Sequence, residues 1–254
     1  MIHPTPRIPW LEADTALPFA KTAQPQGSEF AGLVAAGGDL CVSRLQEAYG
    51  KGIFPWFSAG QPVLWWSPDP RMVLKPASFK LHRSLRKTLH AFLAAQHCEI
   101  RIDSAFEQVM QRCAQVPRGG KLGTWIVPDM IKAYVGLHQA GLAHSIETWV
   151  HGELVGGLYC VALGRAVFGE SMFALQTDAS KIALSGLVAL TKAQHVPWID
   201  CQQNTRHLAS LGAQEIDRSV FLEGIAASQT ASPLDWQLQP IHWQALLAPG
   251  PQAL

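Results

Sequence analysis

A carboxylate and three carboxamides fall within five positions in the stretch Asp200-Cys201-Gln202-Gln203-Asn204. The apolar run from Val196 to Ile199 before it predicts a short buried strand over 196–201. Residues two apart on an extended backbone share a face, so Asp200 and Gln202 are expected to point the same way. Together they could hold and polarise a nucleophile. Cys201 would face away, and reads as core. Glu170 is the second candidate. It sits between apolar runs, beside Gly169 and ahead of Met172 and Phe173. A carboxylate in such a place is costly without a cation. The cation is either structural, with Arg165 and Lys181 as candidates, or a ligand ammonium.

A third feature is basic. Lys75, Lys80, His82, Arg83, Arg86, Lys87 and His90 occur in a stretch with no acid from Arg71 to His97. The spacing of Leu81, Leu85 and Leu89 predicts a helix over 78–92 with Arg83, Arg86, Lys87 and His90 sharing another side. Such a stripe is usually a solvated helix face. Here nothing in the sequence balances it, and a phosphate backbone would.

The elements that must position these residues follow from periodicity and punctuation. Residues 1–31, rich in Pro, Thr and Ala, read as irregular surface chain, and 32–40 as a strand closed by a glycine turn. Ser43 reads as the cap of a helix over 44–51. The Trp- and Pro-rich stretch 53–71 reads as a stiff aromatic loop in which adjacent Trp65 and Trp66 face opposite ways. A strand at 98–102 precedes a helix capped by Ser104 and a Gly/Lys/Arg loop at 117–123. Pro128 opens a helix over 129–141. His151-Gly152-Glu153 joins strands 143–150 and 154–163 as a hairpin. A strand at 166–168, a helix at 179–193, a helix at 204–211 ending at Gly212, and a further strand and helix to about residue 227 complete the pattern before an irregular tail. Asn204 reads as a helix cap. This order implies an α/β or α+β chain with a mixed sheet.

Composition excludes some classes. With 254 residues and 48% hydrophobic content the chain can bury a sizeable core. The net charge of +1 means that any nucleic-acid surface must be a local patch. Five scattered cysteines without a Cys-x-x-Cys pair argue against a zinc site and a disulfide framework; neither a metal nor a cofactor is expected. No apolar run approaches the ~20 residues that span a bilayer, and the first residues do not read as a signal peptide. A cytoplasmic protein without membrane partners is the expectation.

Several stretches carry a family resemblance. They are Gly37-Gly38-Asp39-Leu40, the run from Gly52-Ile53-Phe54-Pro55-Trp56-Phe57 to Trp65-Trp66-Ser67-Pro68-Asp69-Pro70-Arg71, Gly123-Thr124-Trp125-Ile126, Gly169-Glu170-Ser171-Met172-Phe173, and Ile199-Asp200-Cys201-Gln202 with Ala209-Ser210-Leu211-Gly212-Ala213. In these the chain resembles the bacterial leucyl/phenylalanyl-tRNA–protein transferases. The resemblance implies a small N-terminal domain (1–70) followed by a GNAT-like, acetyltransferase-like mixed-sheet domain (71–254). It implies transfer of Leu or Phe, and also Met, from leucyl-tRNA or phenylalanyl-tRNA to the α-amino group of proteins beginning with Arg or Lys, marking them for N-end-rule degradation. Glu170 would then meet the ammonium of the aminoacyl ester. Trp56 and Trp125 would be pocket aromatics, with Met172 and Phe173 lining the side-chain pocket. Of these last two, an extended chain turns only Met172 to the side of Glu170. Gln202 would hold the incoming amine and Asp200 would orient it or take up a proton; alternatively both only shape the site. Arg83, Arg86 and Lys87 would meet the tRNA acceptor stem. The rivals are an acetyl-CoA-dependent N-acetyltransferase, which would need a pyrophosphate-cradling Gly loop that is not found, a tRNA-dependent peptide-bridge ligase, and a non-catalytic RNA-binding protein.

Overall fold

The computed structural model describes residues 8–116 and 126–248. Two sheets organise them. The smaller contains β1 (Trp10–Leu11), β2 (Leu33–Gly37), β3 (Phe54–Pro55) and β4 (Leu64–Trp66), in the spatial order β1-β2-β4-β3. The larger contains β5 (Arg71–Leu74), β6 (Cys98–Ile102), β7 (Ala143–Val150), β8 (Glu153–Leu163), β9 (Ala166–Ala174), β10 (Ile199–Gln202) and β11 (Gln214–Ile216). Its order is β11-β5-β10-β9-β8-β7-β6. Within this sheet β9 and β10 are the parallel pair, and their register covers only Ile199↔Val167 and Asp200↔Phe168. Beyond Asp200 the two strands part, which opens a gap in the sheet.

Helices cover both faces. On one side α1 (Val42–Gly50), α3 (Phe106–Gln115), α4 (Pro128–Gln139) and α7 (Arg218–Gln229) enclose a core that contains Tyr49, Val109, Tyr134, Tyr159, Phe168 and Phe221. On the other, α2 (Arg83–Ala94), α5 (Ala179–Ala193) and α8 (Pro240–Leu247) enclose Leu89, Leu158, Val167, Leu187 and Ile199. A short α6 (Arg206–Ser210) follows β10. The alternation along β9 feeds both cores, with Val167 on one side and Phe168 on the other, as it must when a sheet is buried on both faces. Each such buried aliphatic or aromatic side chain contributes roughly 1.5–3 kcal/mol. Helix α5 is the crossover between the parallel strands, and nearly all of it is buried. Its first turn rests on β8 because Gly156 has no side chain: a Cβ there would lie 2.5 Å from that of Ala179 and 2.7 Å from its carbonyl carbon. Gly156→Ala is therefore expected to cost about 1–3 kcal/mol by overpacking. Urea denaturation measures it; a midpoint equal to that of the unmodified chain would refute the close-approach argument.

Most predicted elements are present, with shifted limits. Of the predicted surface segment 1–31, residues 1–7 lie outside the described residues, and 8–31 do more than lie on the surface. Strand β1 pairs in parallel with β2, and Leu11, Leu17, Ala20 and Ala23 are buried. The aromatic stretch supplies β3, β4 and the start of β5. Cys41, not Ser43, precedes α1. Helix α2 begins at Arg83, because Pro76–Ser78 forms a separate 3-10 turn and Lys80 is tied by its N–H to the Leu211 carbonyl. Ser104 does not cap α3: its hydroxyl donates to buried Glu147, which also accepts from the Ala105 N–H. Thr205, not Asn204, caps α6 by accepting from the Leu208 N–H. The predicted 166–168 strand runs on through Glu170 to Ala174, and the tail contains α8. The loop at 117–123 and Trp125 lie outside the described residues.

Candidate active site

Glu170 reaches the gap between β9 and β10 because of a β-bulge. Tyr159 of β8 faces Ser171 and Cys160 faces Gly169, so Glu170 is the extra residue of β9. A bulge re-aims a side chain that regular pairing would place elsewhere. The carboxylate accepts from Tyr49 Oη at 2.7 Å, from Gln202 Nε2 at 2.9 Å and, at 3.4 Å, from Tyr134 Oη. The two tyrosines also hydrogen-bond to each other. Among the described residues no lysine or arginine forms an ion pair with Glu170. Both structural candidates are engaged elsewhere: Lys181 with Asp178, and Arg165 with the Gln194 carbonyl.

That environment favours the neutral acid. Burial, opposed by the hydrogen bond from Tyr49, raises the Glu170 carboxyl to about 7; the charge of Asp200 adds to the rise, and Gln202 and Arg71 oppose it. Burial, then the Glu170 charge, pushes the hydroxyls of Tyr49 and Tyr134 well above the usual tyrosine range. They therefore stay protonated: Tyr49 donates to Glu170 and accepts from Tyr134, whose single proton is shared between Tyr49 and the more distant Glu170 oxygen.

Asp200 and Gln202 do not stand side by side as an ideal strand would place them. The pairing of β10 with β5 shifts between them, and Gln202 has φ +62°. Asp200 is 1% exposed and forms a two-pronged pair with Arg71: Nε to Oδ1 at 2.8 Å and Nη2 to Oδ2 at 2.6 Å. Its Oδ1 also accepts the N–H of Gln202 at 2.8 Å. Gln202 turns its amide nitrogen to Glu170, which leaves its side-chain oxygen as an acceptor. Cys201 is half-buried rather than core and lines the cavities on both sides of this cluster. Burial and the Asp200 charge push its thiol up, so it is a poor nucleophile.

Two cavities meet at Glu170. One, of about 550 Å³, is lined mainly by apolar side chains, including Leu158, Met172, Leu184, Leu187, Ile199 and Leu208. The other, of about 610 Å³, is walled by Phe54, Trp56, Phe57, Leu64 and Trp66 and reaches Glu170, Gln202 and Gln203. Trp56 is 39% exposed and meets Trp66 edge-on; Trp65, on the opposite face of β4, is fully buried. Met172 lines the first cavity, but not from the side of Glu170. The bulge reverses the alternation, so Met172 packs with the α5 core while Glu170 meets the tyrosines of the other. Phe173 lines neither cavity; it is buried beside Gly157 in the core under α3.

Sequence reasoning missed Tyr49, Tyr134 and Arg71. The tyrosines sit on the apolar sides of α1 and α4 and look like core. Arg71 carried a signal: a basic residue opening the apolar run Met72-Val73-Leu74 calls for a buried acid, and Asp200 sits in a similar context. On α2, Arg83 and Lys87 are exposed, whereas Arg86 is half-buried and donates to the Leu247 carbonyl at the end of α8. Among the described residues no group of three His, Cys, Asp or Glu is placed to hold a metal. No helix among them is long and apolar enough to cross a membrane.

A carboxylate that pairs with no lysine or arginine among the described residues, set between an apolar cavity and an aromatic one, suits a ligand that carries an ammonium and an apolar side chain. These features fit an aminoacyl-handling enzyme on a mixed α/β scaffold. Residues 73–226 match the family model described as leucyl/phenylalanyl-tRNA protein transferase, and residues 38–69 match the model of its N-terminal domain. The chain is 60% identical over 240 residues to the leucyl/phenylalanyl-tRNA–protein transferase of Polaromonas sp. (strain JS666), with 94% of each chain covered. It is 56% identical over 244 residues to the protein of that name from Albidiferax ferrireducens, with 96% of each covered. Among solved structures, a GCN5-related N-acetyltransferase from Kribbella flavida overlaps 67% of this chain and 59% of its own, at a TM-score of 0.29 and 10% identity. The chain belongs to the leucyl/phenylalanyl-tRNA–protein transferase family. It is an aminoacyltransferase with aminoacyl-tRNA donors and protein acceptors, and the acetyl-CoA-dependent and non-catalytic alternatives give way to that assignment.

Proposed function

We propose that the chain transfers Leu, Phe or Met from the 3′ ester of its tRNA to the α-amino group of proteins beginning with Arg or Lys, in the cytoplasm, and so marks them for degradation. The observation that carries the site reading is Glu170: a carboxylate held by neutral donors at the junction of two cavities. In this reading the ester's α-ammonium pairs with Glu170 and its side chain enters the apolar cavity beside Met172. The terminal nucleoside lies against Trp56. The ester is already activated, and an α-amino nucleophile of reference pKa ~7.7–8.0 is partly neutral at cellular pH. Positioning and charge stabilisation then suffice. Gln202 accepts a hydrogen bond from the incoming amine through its side-chain oxygen, and Asp200 acts by holding Gln202. We further read residues 1–70 and 71–254 as the N-terminal and catalytic domains, the latter GNAT-like.

The test is transfer of labelled leucine from leucyl-tRNA to a peptide beginning with Arg, beside an N-acetylated peptide and an isoleucyl-tRNA control. Label on the free-amine peptide alone, from Leu and hardly from Ile, supports the reading. Tight tRNA binding without transfer sinks it.

The basic helix gives a separate prediction. Arg83 and Lys87 present charge to the tRNA, while Arg86 supports α8. Arg83→Ala and Lys87→Ala are each expected to reduce the slope of log affinity against log salt by about 1. A slope unchanged in both variants would remove α2 from the tRNA interface.

A further inference from the structure

We infer that Arg71 is a positioning residue for transfer: it ties together the two chain segments that bring Tyr49 and Gln202 to one carboxylate oxygen of Glu170. The inference deepens the proposed function and rests on Glu170 and Gln202 acting as described there.

Arg71 opens β5 and is completely buried. Its guanidinium uses three nitrogens on two distant segments. Nε and Nη2 grip the Asp200 carboxylate, and Nη1 donates to the Gly52 carbonyl at 3.3 Å. Its plane is held between Phe54 and Phe221, with ring centroids 4.8 and 4.5 Å from the guanidinium carbon. The orientation is therefore fixed by both hydrogen bonding and stacking.

Each grip leads to the site in one step. The Gly52 turn closes α1, and its N–H donates to the carbonyl of Tyr49, whose hydroxyl meets Glu170 Oε1 at 2.7 Å. On the other side, Asp200 Oδ1 accepts the N–H of Gln202, whose amide meets the same Oε1 at 2.9 Å. Gln202 holds a left-handed backbone that a non-glycine residue adopts only when its surroundings impose it. The Asp200 acceptor, itself immobilised by Arg71, is the imposing contact. A lysine would retain the charge but could neither fork onto both carboxylate oxygens nor stack as a plane between the two rings. The Arg-to-Lys exchange therefore separates geometry from charge.

The experiment uses the full chain and the leucine transfer assay, with wild type, Arg71→Lys, Arg71→Met, Phe221→Leu and Glu170→Gln. Arg71→Lys is expected to lower kcat by about 100-fold, the scale of a displacement near 1 Å, with the leucyl-tRNA KM within about threefold of wild type. Because a cation remains, its acid limb in kcat/KM against pH should stay near that of wild type. Arg71→Met should lose kcat similarly and move that limb to higher pH, since Arg71 opposes the rise of the Glu170 carboxyl. Phe221→Leu removes one stacking face and should show a smaller kcat loss, about tenfold, with the same unchanged KM. It carries the test if the Arg71 variants do not fold. Wild-type kcat in Arg71→Lys overturns the inference. So does a loss in any variant that merely follows its folded fraction in a parallel thermal melt. Failure of the site reading looks different: Glu170→Gln would then transfer leucine as well as wild type.

Discussion

Replacing Glu170 by Gln will reduce kcat/KM for leucyl-tRNA by about 10²–10³ and, in alkaline buffer, make the free protein more stable. The first effect follows from removing the charged partner of a desolvated ammonium, a change that costs about 2–5 kcal/mol in comparable buried pairs. The second follows from linkage. The carboxyl rises to about 7 in the fold, above its ordinary value, so the folded chain binds this proton more tightly than the unfolded one. Its contribution is fully favourable below the unfolded value and is lost as pH rises through 7. Above that the ionised carboxylate is a liability on the order of 3 kcal/mol, which Gln does not carry. Thermal melts at pH 4 and pH 8.5 check the sign: the variant should match wild type at the first and melt a few degrees higher at the second. A Glu170→Gln protein with wild-type transfer, or with its gain at acid pH, would contradict the account. A site tuned for a cation is thus expected to be strained when empty.

The second large effect concerns stability. Asp200→Ala leaves the guanidinium of Arg71 buried and without its carboxylate, and breaking such a pair from one side costs about 3–5 kcal/mol. Replacing both members by apolar residues removes the orphaned charge. Arg71→Met with Asp200→Leu should therefore recover much of the loss while remaining inactive, because Gln202 has then lost its holding acceptor. Urea midpoints of Arg71→Met, Asp200→Leu and the double variant close the cycle, with Asp200→Ala measured beside them. A cost below about 1 kcal/mol for Asp200→Ala would mean that the pair is far better solvated than its 0% and 1% exposures indicate.

What could be read from the sequence, and what could not, divides along a physical line. The β7–β8 hairpin was legible because His151 and Gly152 both take positive φ in a two-residue turn, a local requirement with a local signature. The helix α5 was legible from its period. Glu170 stood out because an isolated carboxylate among apolar residues always needs a partner. The bulge that aims it was not legible: it depends on how β8 and β9 register, and no single residue of Gly169-Glu170-Ser171 demands it. Unbroken alternation would put Met172 on the face of Glu170, and the bulge puts it on the other, though it still lines the cavity; Phe173, which the family resemblance places in the pocket, is core. The tyrosines that hold Glu170 come from helices 85 residues apart, at Tyr49 and Tyr134, so only the closed fold brings them together. Asp200 and Gln202 were found as a pair, but their geometry was set by Arg71, which lies outside their stretch.

The place of β5 in the large sheet also bears on how the chain is made. The strand pairs with β10 and β11, and Arg71 meets Asp200 across 129 positions of sequence. On a ribosome adding 5–20 residues per second, β5 waits roughly 6–26 s before its first partner has been synthesised. Throughout that interval both of its edges are open and its arginine lacks a counter-ion. Pairing at such separation pays its loop-closure entropy late. Assembly of the half of the sheet that bears the site is therefore a terminal event in the birth of this enzyme. Chains cut short before β10 would have the small sheet and the basic helix in their sequence but no catalytic centre, and would present an unpaired strand to the quality-control machinery.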